Sequence, residues 1–322
     1  MEDWHKVKKC CLSHPPSFST TTQQSQLIWR RNPGRQKTKP SQKTEENRRK
    51  HQARKQKKEL MGFLSHVLLL LLLCTIHAES EDPSGVFCNT NTNISSNQIS
   101  SNINRLLPQL VQGTIQNGYI ATSVGKAENQ VYGLAQCRAD VVGNDCKTCI
   151  EGAAMEIRKR CPNQADARIW YDYCFLRYDI KDFFGIVDTG FGILYANVEN
   201  VTDPDTFNKE LGSLIDRISS KATEAGNKGN GRGKTKLTPF LTLYALVQCT
   251  RDLSPLPCSQ CLAIAVGNFN SPNFCSNKKG CRVLYSSCYV RYELYPFYFP
   301  LDSQAEAANA SLAYYVSVVT KP

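Results

Sequence analysis

Histidine is missing from most of this chain. All five, at His5, His14, His51, His66 and His77, precede residue 79. The last 244 residues therefore cannot build a Ser–His–Asp triad, a Cys–His dyad or a His-ligated zinc. Tryptophan and methionine are nearly absent there too, with only Trp170 and Met155. Net charge is a third absence. The formal +11 sits in residues 1–60, which carry sixteen Lys/Arg against five Asp/Glu, while residues 79–322 hold 23 of each. A balanced main region is not steered to nucleic acid, and it lacks the cationic surface of membrane-disrupting peptides. Apolar runs are short, and none reaches the roughly 20 residues a membrane-spanning helix needs.

What apolar run there is lies at 61–78. Met61 opens it, Val67 to Ile76 form its core, and His77-Ala78 precede the acidic Glu79. A core of that length followed by a small residue is the pattern of a secretory signal peptide cleaved after Ala78. The preceding residues 1–60 are polar and rich in blocks such as Arg54-Lys55-Gln56-Lys57-Lys58. They are read as a non-native or disordered extension, with Met61 as the true start. The rival reading is a basic cytoplasmic arm that turns the apolar run into a signal-anchor. Either way, residues 79–322 enter the secretory lumen. Sequons at Asn93, Asn200 and Asn309 fit that compartment as glycosylation sites. The tail, 301–322, lacks the long apolar end of a lipid-anchor signal, so the expected product is secreted and extracellular.

Cysteine is abundant instead, with twelve beyond residue 78 in two sets of one syntax. Cys137-x8-Cys146-x2-Cys149 is followed by Cys161 and Cys174; Cys249-x8-Cys258-x2-Cys261 is followed by Cys275 and Cys288. Neighbouring residues repeat as well: Tyr132-Gly-Leu-Ala-Gln-Cys137 matches Tyr244-Ala-Leu-Val-Gln-Cys249, and Cys174-Phe-Leu-Arg-Tyr178-Asp179 matches Cys288-Tyr-Val-Arg-Tyr292-Glu293. A shared shift of 112 to 114 residues marks tandem duplication, and only two copies make two domains rather than a solenoid.

Each copy has legible periodicity. A helix starting after an Asp145 cap and running through Arg158 carries Cys149, Ile150, Ala153, Ala154 and Ile157 on one stripe, echoed by Cys261, Leu262, Ala265, Val266 and Phe269. An earlier helix carries Ile103, Leu106, Leu107, Leu110 and Val111, echoed by Phe207, Leu211, Leu214, Ile215 and Ile218. Pro108 and Gly212 predict a kink or late start. The β-branched and aromatic runs Arg168–Tyr178 and Arg282–Tyr292 predict strands. The fold expected is α+β, two tandem disulfide-stapled domains, each an antiparallel sheet packed against two helices.

Cys-x2-Cys can also be a redox motif or half a zinc site, but a secretory context and an even count favour structural disulfides. Asp172, Asp179 and Glu293 invite a glycosidase reading. No facing carboxylate is identifiable, and Arg177 and Arg291 beside them suggest surface ion pairs instead.

The two cysteine sets, Phe87-Cys88-Asn89-Thr90 ahead of them and Arg291-Tyr-Glu-Leu-Tyr-Pro-Phe-Tyr298 behind, resemble the plant cysteine-rich repeat secretory proteins. Their module is the ginkbilobin-homologous, or stress-antifungal, domain, also found in ectodomains of cysteine-rich receptor-like kinases and plasmodesmata-located membrane proteins. The resemblance implies domains at 81–185 and 190–300. Six cysteines allow fifteen pairings, which spacing alone does not resolve. The family's connectivity would join Cys88–Cys161, Cys137–Cys146, Cys149–Cys174, Cys249–Cys258 and Cys261–Cys288. Ala196 stands where the partner of Cys88 would align in the second copy, so Cys275 is expected to pair with the extra Cys281.

The resemblance also implies a mannose site built from an amide, a guanidinium and a carboxylate, groups able to share vicinal hydroxyls. The matching residues are Asn89, Arg168 and Asp179 in the first copy, and Asn197, Arg282 and Glu293 in the second. The function implied is a secreted, non-enzymatic, lectin-like protein of the apoplast in stress or antifungal defence, binding mannose-containing glycans. The alternative is a protein-interaction module recognising a receptor ectodomain or its own copy. No cofactor, metal, nucleic-acid partner or stable membrane span is implied.

Overall fold

The computed structural model describes residues 49–63, 65, 82–272, 274–300 and 315–320. The leader at 61–78 and the Asn309 sequon fall almost wholly or wholly outside these residues. Residues 49–63 are helical and exposed. Lys, Arg, Gln, Glu and Leu are good helix formers. Among the described residues no helix is long and apolar enough to cross a membrane.

The first copy runs β1 (Gly85–Cys88), α1 (Asn97–Asn117), β2 (Tyr119–Val124), β3 (Val131–Cys137), α2 (Gly143–Arg160), β4 (Ala167–Trp170) and β5 (Cys174–Asp179). The second repeats the order as β6 (Gly192–Asn197), α3 (Pro204–Thr223), β7 (Asn230–Thr238), β8 (Leu241–Cys249), α4 (Pro255–Gly267), β9 (Cys281–Tyr285) and β10 (Cys288–Glu293), and β11 (Tyr315–Thr320) follows. The antiparallel sheets are ordered β1-β4-β5-β3-β2 and β11-β6-β9-β10-β8-β7. Each copy is an α+β layer pair, and both belong to one compact unit spanning residues 79–322.

The amphipathic stripes place the helices. Ile103, Leu106 and Leu110 of α1 and Ile150, Ala153 and Ile157 of α2 pack with Val131, Ala135, Ile169, Leu176 and Tyr178 of the first sheet. Phe207, Leu211, Leu214, Ile218 and Leu262 do the same with Leu243, Val247, Val283, Val290 and Tyr292. Ser96 caps α1 by accepting the Ile99 N–H at 3.1 Å, and Gly118 closes it at φ +71°. That left-handed conformation suits glycine at a helix end.

Three details differ from the sequence expectations. Asp145 is not the cap of α2, which begins at Gly143 after Val142 and runs to Arg160. Asp145 lies in the first turn, where its charge favours the helix N-terminus. Neither Pro108 nor Gly212 interrupts its helix. Both are exposed, as is Asn104, whose carbonyl loses its partner to Pro108, so water can satisfy it. The runs 168–178 and 282–292 fold back at residues 171–173 and 286–287 into hairpins, with Arg168 facing Arg177 and Arg282 facing Arg291.

Among the described residues there are six disulfides: Cys88–Cys161, Cys137–Cys146, Cys149–Cys174, Cys249–Cys258, Cys261–Cys288 and Cys275–Cys281. The two cysteines of each Cys-x2-Cys pair outside that motif, leaving neither a dithiol nor a thiolate pair for zinc. The register explains the odd second copy. Cys88 of β1 lies opposite Ala167 of β4, and Ala196 of β6 lies opposite Cys281 of β9. The cysteine has crossed to the facing strand within one cross-strand pair, and the Cys161 counterpart, Cys275, still finds it.

Candidate functional site

Side chains alternate along β4–β5 and β9–β10, so residues two apart share a face. Ile169, Leu176 and Tyr178 point to the helices. Arg168, Trp170, Phe175, Arg177 and Asp179 therefore point the other way, as do Arg282, Leu284, Tyr289, Arg291 and Glu293. These second faces meet each other. Trp170, Phe191, Ile193 and Leu284 form a buried cluster there, flanked by Phe87, Phe175, Tyr195 and Tyr289. The candidate sugar residues thus lie largely between two packed sheets: Arg168 is 7 % exposed, Asp179 8 % and Glu293 0 %.

In the first copy Asn89 and Arg168 come together on Asp166. The Asn89 amide donates to Asp166 Oδ2 at 2.9 Å, and Arg168 Nη2 reaches the same oxygen at 3.4 Å. Arg168 Nη1 also reaches Asp188 at 2.9 Å and donates to Ser286 Oγ at 2.8 Å. Arg177 shares Asp188 at 3.2 Å. Asp179 is not the carboxylate that joins this pair; it accepts the Lys181 N–H at 3.0 Å. Burial and the charge of Asp166 raise its pKa. Burial, with Arg168 adding to it, pulls Arg177 down to about 10.

The second copy divides its trio. Arg282 pairs with Asp172 of the first copy and lies 4.3 Å over the Tyr195 ring. Glu293 pairs with Arg291 at 2.8 Å. Asn197 Oδ1 accepts the Glu199 N–H at 2.9 Å. Burial alone would raise Asp172, but Arg282 and Arg291 hold it well below the usual carboxylate range. Burial would likewise lower Arg291, and Glu293, together with Tyr289, Tyr295 and Asp172, raises it above the ordinary arginine value. The Arg291–Glu293 pair is buried, unlike the surface ion pair that the sequence suggests, whereas the Asp172 side chain beside Arg282 stays 34% exposed.

The inter-copy bonds are reciprocal. Arg168 reaches Ser286 at the turn of the second hairpin, and Arg282 reaches Asp172 at the turn of the first. Those four positions exchange under the 114-residue shift. Gln136 donates to the Cys249 carbonyl at 2.9 Å and accepts the Arg251 N–H at 3.0 Å. Gln248 donates to the Cys137 carbonyl at 3.2 Å and accepts the Ala139 N–H at 2.8 Å. This is the isologous pattern of a two-fold dimer, here within one chain. The residues of this fastening that sequence reasoning passes over are Gln136, Gln248, Asp166, Asp188 and Ser286. A signal for the glutamines exists, since both stand beside a cysteine in the repeated hexapeptide.

The family profile described as salt stress response/antifungal matches residues 87–181 and 195–295. The chain belongs to this family of cysteine-rich repeat secretory proteins. Cysteine-rich repeat secretory protein 55 of Arabidopsis thaliana is 58% identical over 240 residues, covering 73% of this chain and 90% of that protein. An antimicrobial ginkbilobin-2-like protein of Castanea crenata is 40% identical over 233 residues, covering 72% and 95%. Among solved structures, the tandem DUF26 ectodomain of the Arabidopsis thaliana receptor-like protein PDLP8 superposes with a TM-score of 0.58 at 26% identity, covering 66% of this chain and 99% of that one. With relatives named as secretory proteins, this family member is extracellular. The names of these relatives are those of secretory and antimicrobial proteins, not of enzymes.

Proposed function

We propose that this cysteine-rich repeat secretory protein is a non-enzymatic defence protein of the apoplast that works by protein contact, not by its Asn–Arg–carboxylate trios. The observation that carries this reading is the use of Arg168 and Arg282 between the copies. Arg168 is held by Ser286 of the other copy and by Asp166 and Asp188, Arg282 is held by Asp172 of the other copy, and neither presents a fork to solvent. A sugar hydroxyl would have to displace these charge-assisted bonds and open the aromatic packing around Trp170. The resemblance to an antimicrobial protein supports the defence setting. Exposed Asn93 and Asn200, at matching bridges to Gln164 and Lys278, are accessible as glycosylation sites. The test is a mannan titration beside a panel of receptor ectodomains, on secreted protein with its disulfides intact. Ectodomain binding without mannan binding is expected; mannan binding lost in Asn89→Ala would restore the lectin reading.

A further inference from the structure

The two sheets end differently on one side. β6 carries β11 on its outer edge, with Val316 opposite Ala196 and Val318 opposite Leu194. Its counterpart β1 pairs with β4 alone, and among the described residues no strand lies beyond it. The exposure follows suit: Leu194 and Ala196 are buried, whereas Val86 and Cys88 are half-buried.

Register shows which groups line the open edge. The Asn89 N–H donates to the Asp166 carbonyl at 3.0 Å, and the Asn197 N–H donates to the Gly280 carbonyl at 2.8 Å. Residues alternate in an antiparallel ladder, so Phe87 and Gly85 turn toward β4 while Val86 and Cys88 turn outward. Leu194 and Ala196 hold the same places on β6, and there they meet β11. Natural edges are often guarded by charge. β7 has Arg232, Lys234 and Lys236, but β1 has none. β2 is uncharged too, yet its counterpart β7 is itself an edge, so nothing points to an occupant there.

We propose that the outer edge of β1 is a β-augmentation site. It takes one extended, uncharged segment of a partner protein, β-branched at alternate positions and paired antiparallel as Tyr315–Thr320 is paired on β6. Main-chain bonds from Val86 and Cys88 supply the attachment, and the occupant's side chains supply selectivity. The inference rests on the protein-contact reading. An ectodomain that binds without using β1 would discard the edge and leave that reading standing.

The probe is a synthetic peptide with the sequence of residues 314–320, its ends blocked, titrated against the full secreted chain. Val86→Pro removes the outward N–H and leaves the β1–β4 bonds in place, because proline is tolerated at edge positions of this kind; six intact disulfides by mass would verify its fold. Binding to the wild type and weakening by at least roughly tenfold in Val86→Pro are expected. N-methylation of the peptide at the positions of Val316 and Val318 is expected to abolish binding, and at Ser317 and Val319 to spare it. Equal binding to Val86→Pro would mean exchange at β6 and would overturn the proposal. So would no binding to the wild type, or indifference to which peptide nitrogens are methylated. Self-association of the chain that Val86→Pro abolishes would also overturn it, by making a second copy the occupant.

Discussion

The two copies share one frame and solve two local problems differently. The first ties β1 to the end of α2 through Cys88–Cys161, closing a separation of 73 residues; the second closes only six with Cys275–Cys281. β6 thereby loses its covalent tie, and it is the strand that β11 covers. The second difference is in the carboxylates. Asp166 and Asp179 of the first copy correspond to Gly280 and Glu293 of the second. A Cβ on Gly280 would lie 1.9 Å from Glu293 Oε2, so the longer acid occupies the space that Asp166 fills in the first copy. The carboxylates differ in position while the arginines stay fixed. That pattern is expected of a buried charge that must be matched, because an unpartnered guanidinium between two sheets is costly.

The largest contrast between the copies should appear in the disulfides. Loop length predicts a loss of about 4 kcal/mol for Cys88→Ala with Cys161→Ala, and about 2 kcal/mol for Cys275→Ala with Cys281→Ala, by urea denaturation. Equal losses would show that the wide loop is already restrained in the unfolded chain. The carboxylate exchange comes next. Gly280→Asp alone should cost about 2–3 kcal/mol by crowding Glu293, and Glu293→Asp should restore most of it in the double variant. Additive losses would mean that the two sites are not alternatives.

The smallest effect concerns pH. The raised folded-state pKa of Asp179 means that the folded chain takes up this proton before the unfolded chain does. Stability from this residue therefore rises as pH falls from the raised value toward about 3.9. Asp172, depressed when folded, keeps its contribution throughout that window and loses it only on further acidification. Asp179→Asn should flatten the profile between those limits in thermal melts; an unchanged slope would assign it to other groups.

The cysteine syntax makes the duplication legible, and the 3.6-residue stripes identify the helices because one face of each is buried against a sheet. The interface stays hidden for a physical reason. A strand buried on both faces does not alternate apolar with polar, and here its second face is partly made of arginine and aspartate. By composition that face looks solvated, although Arg168, Arg177 and Arg291 are buried between the copies. In sequence, Arg168 and Arg282 therefore look available to a ligand. β11 escapes a reading that weighs the tail only for membrane affinity, although Tyr315-Val-Ser-Val-Val-Thr320 is strongly β-forming. Its partner edge is more than 100 residues away in sequence.

Equilibrium unfolding of Arg168→Ala, with a mannan titration of the same sample, tests most directly whether these arginines fasten the copies together. The account predicts a loss of about 2 kcal/mol from the severed charge-assisted bonds to Asp188, Asp166 and Ser286, with no change in mannan response. Unchanged stability together with abolished mannan binding would contradict it.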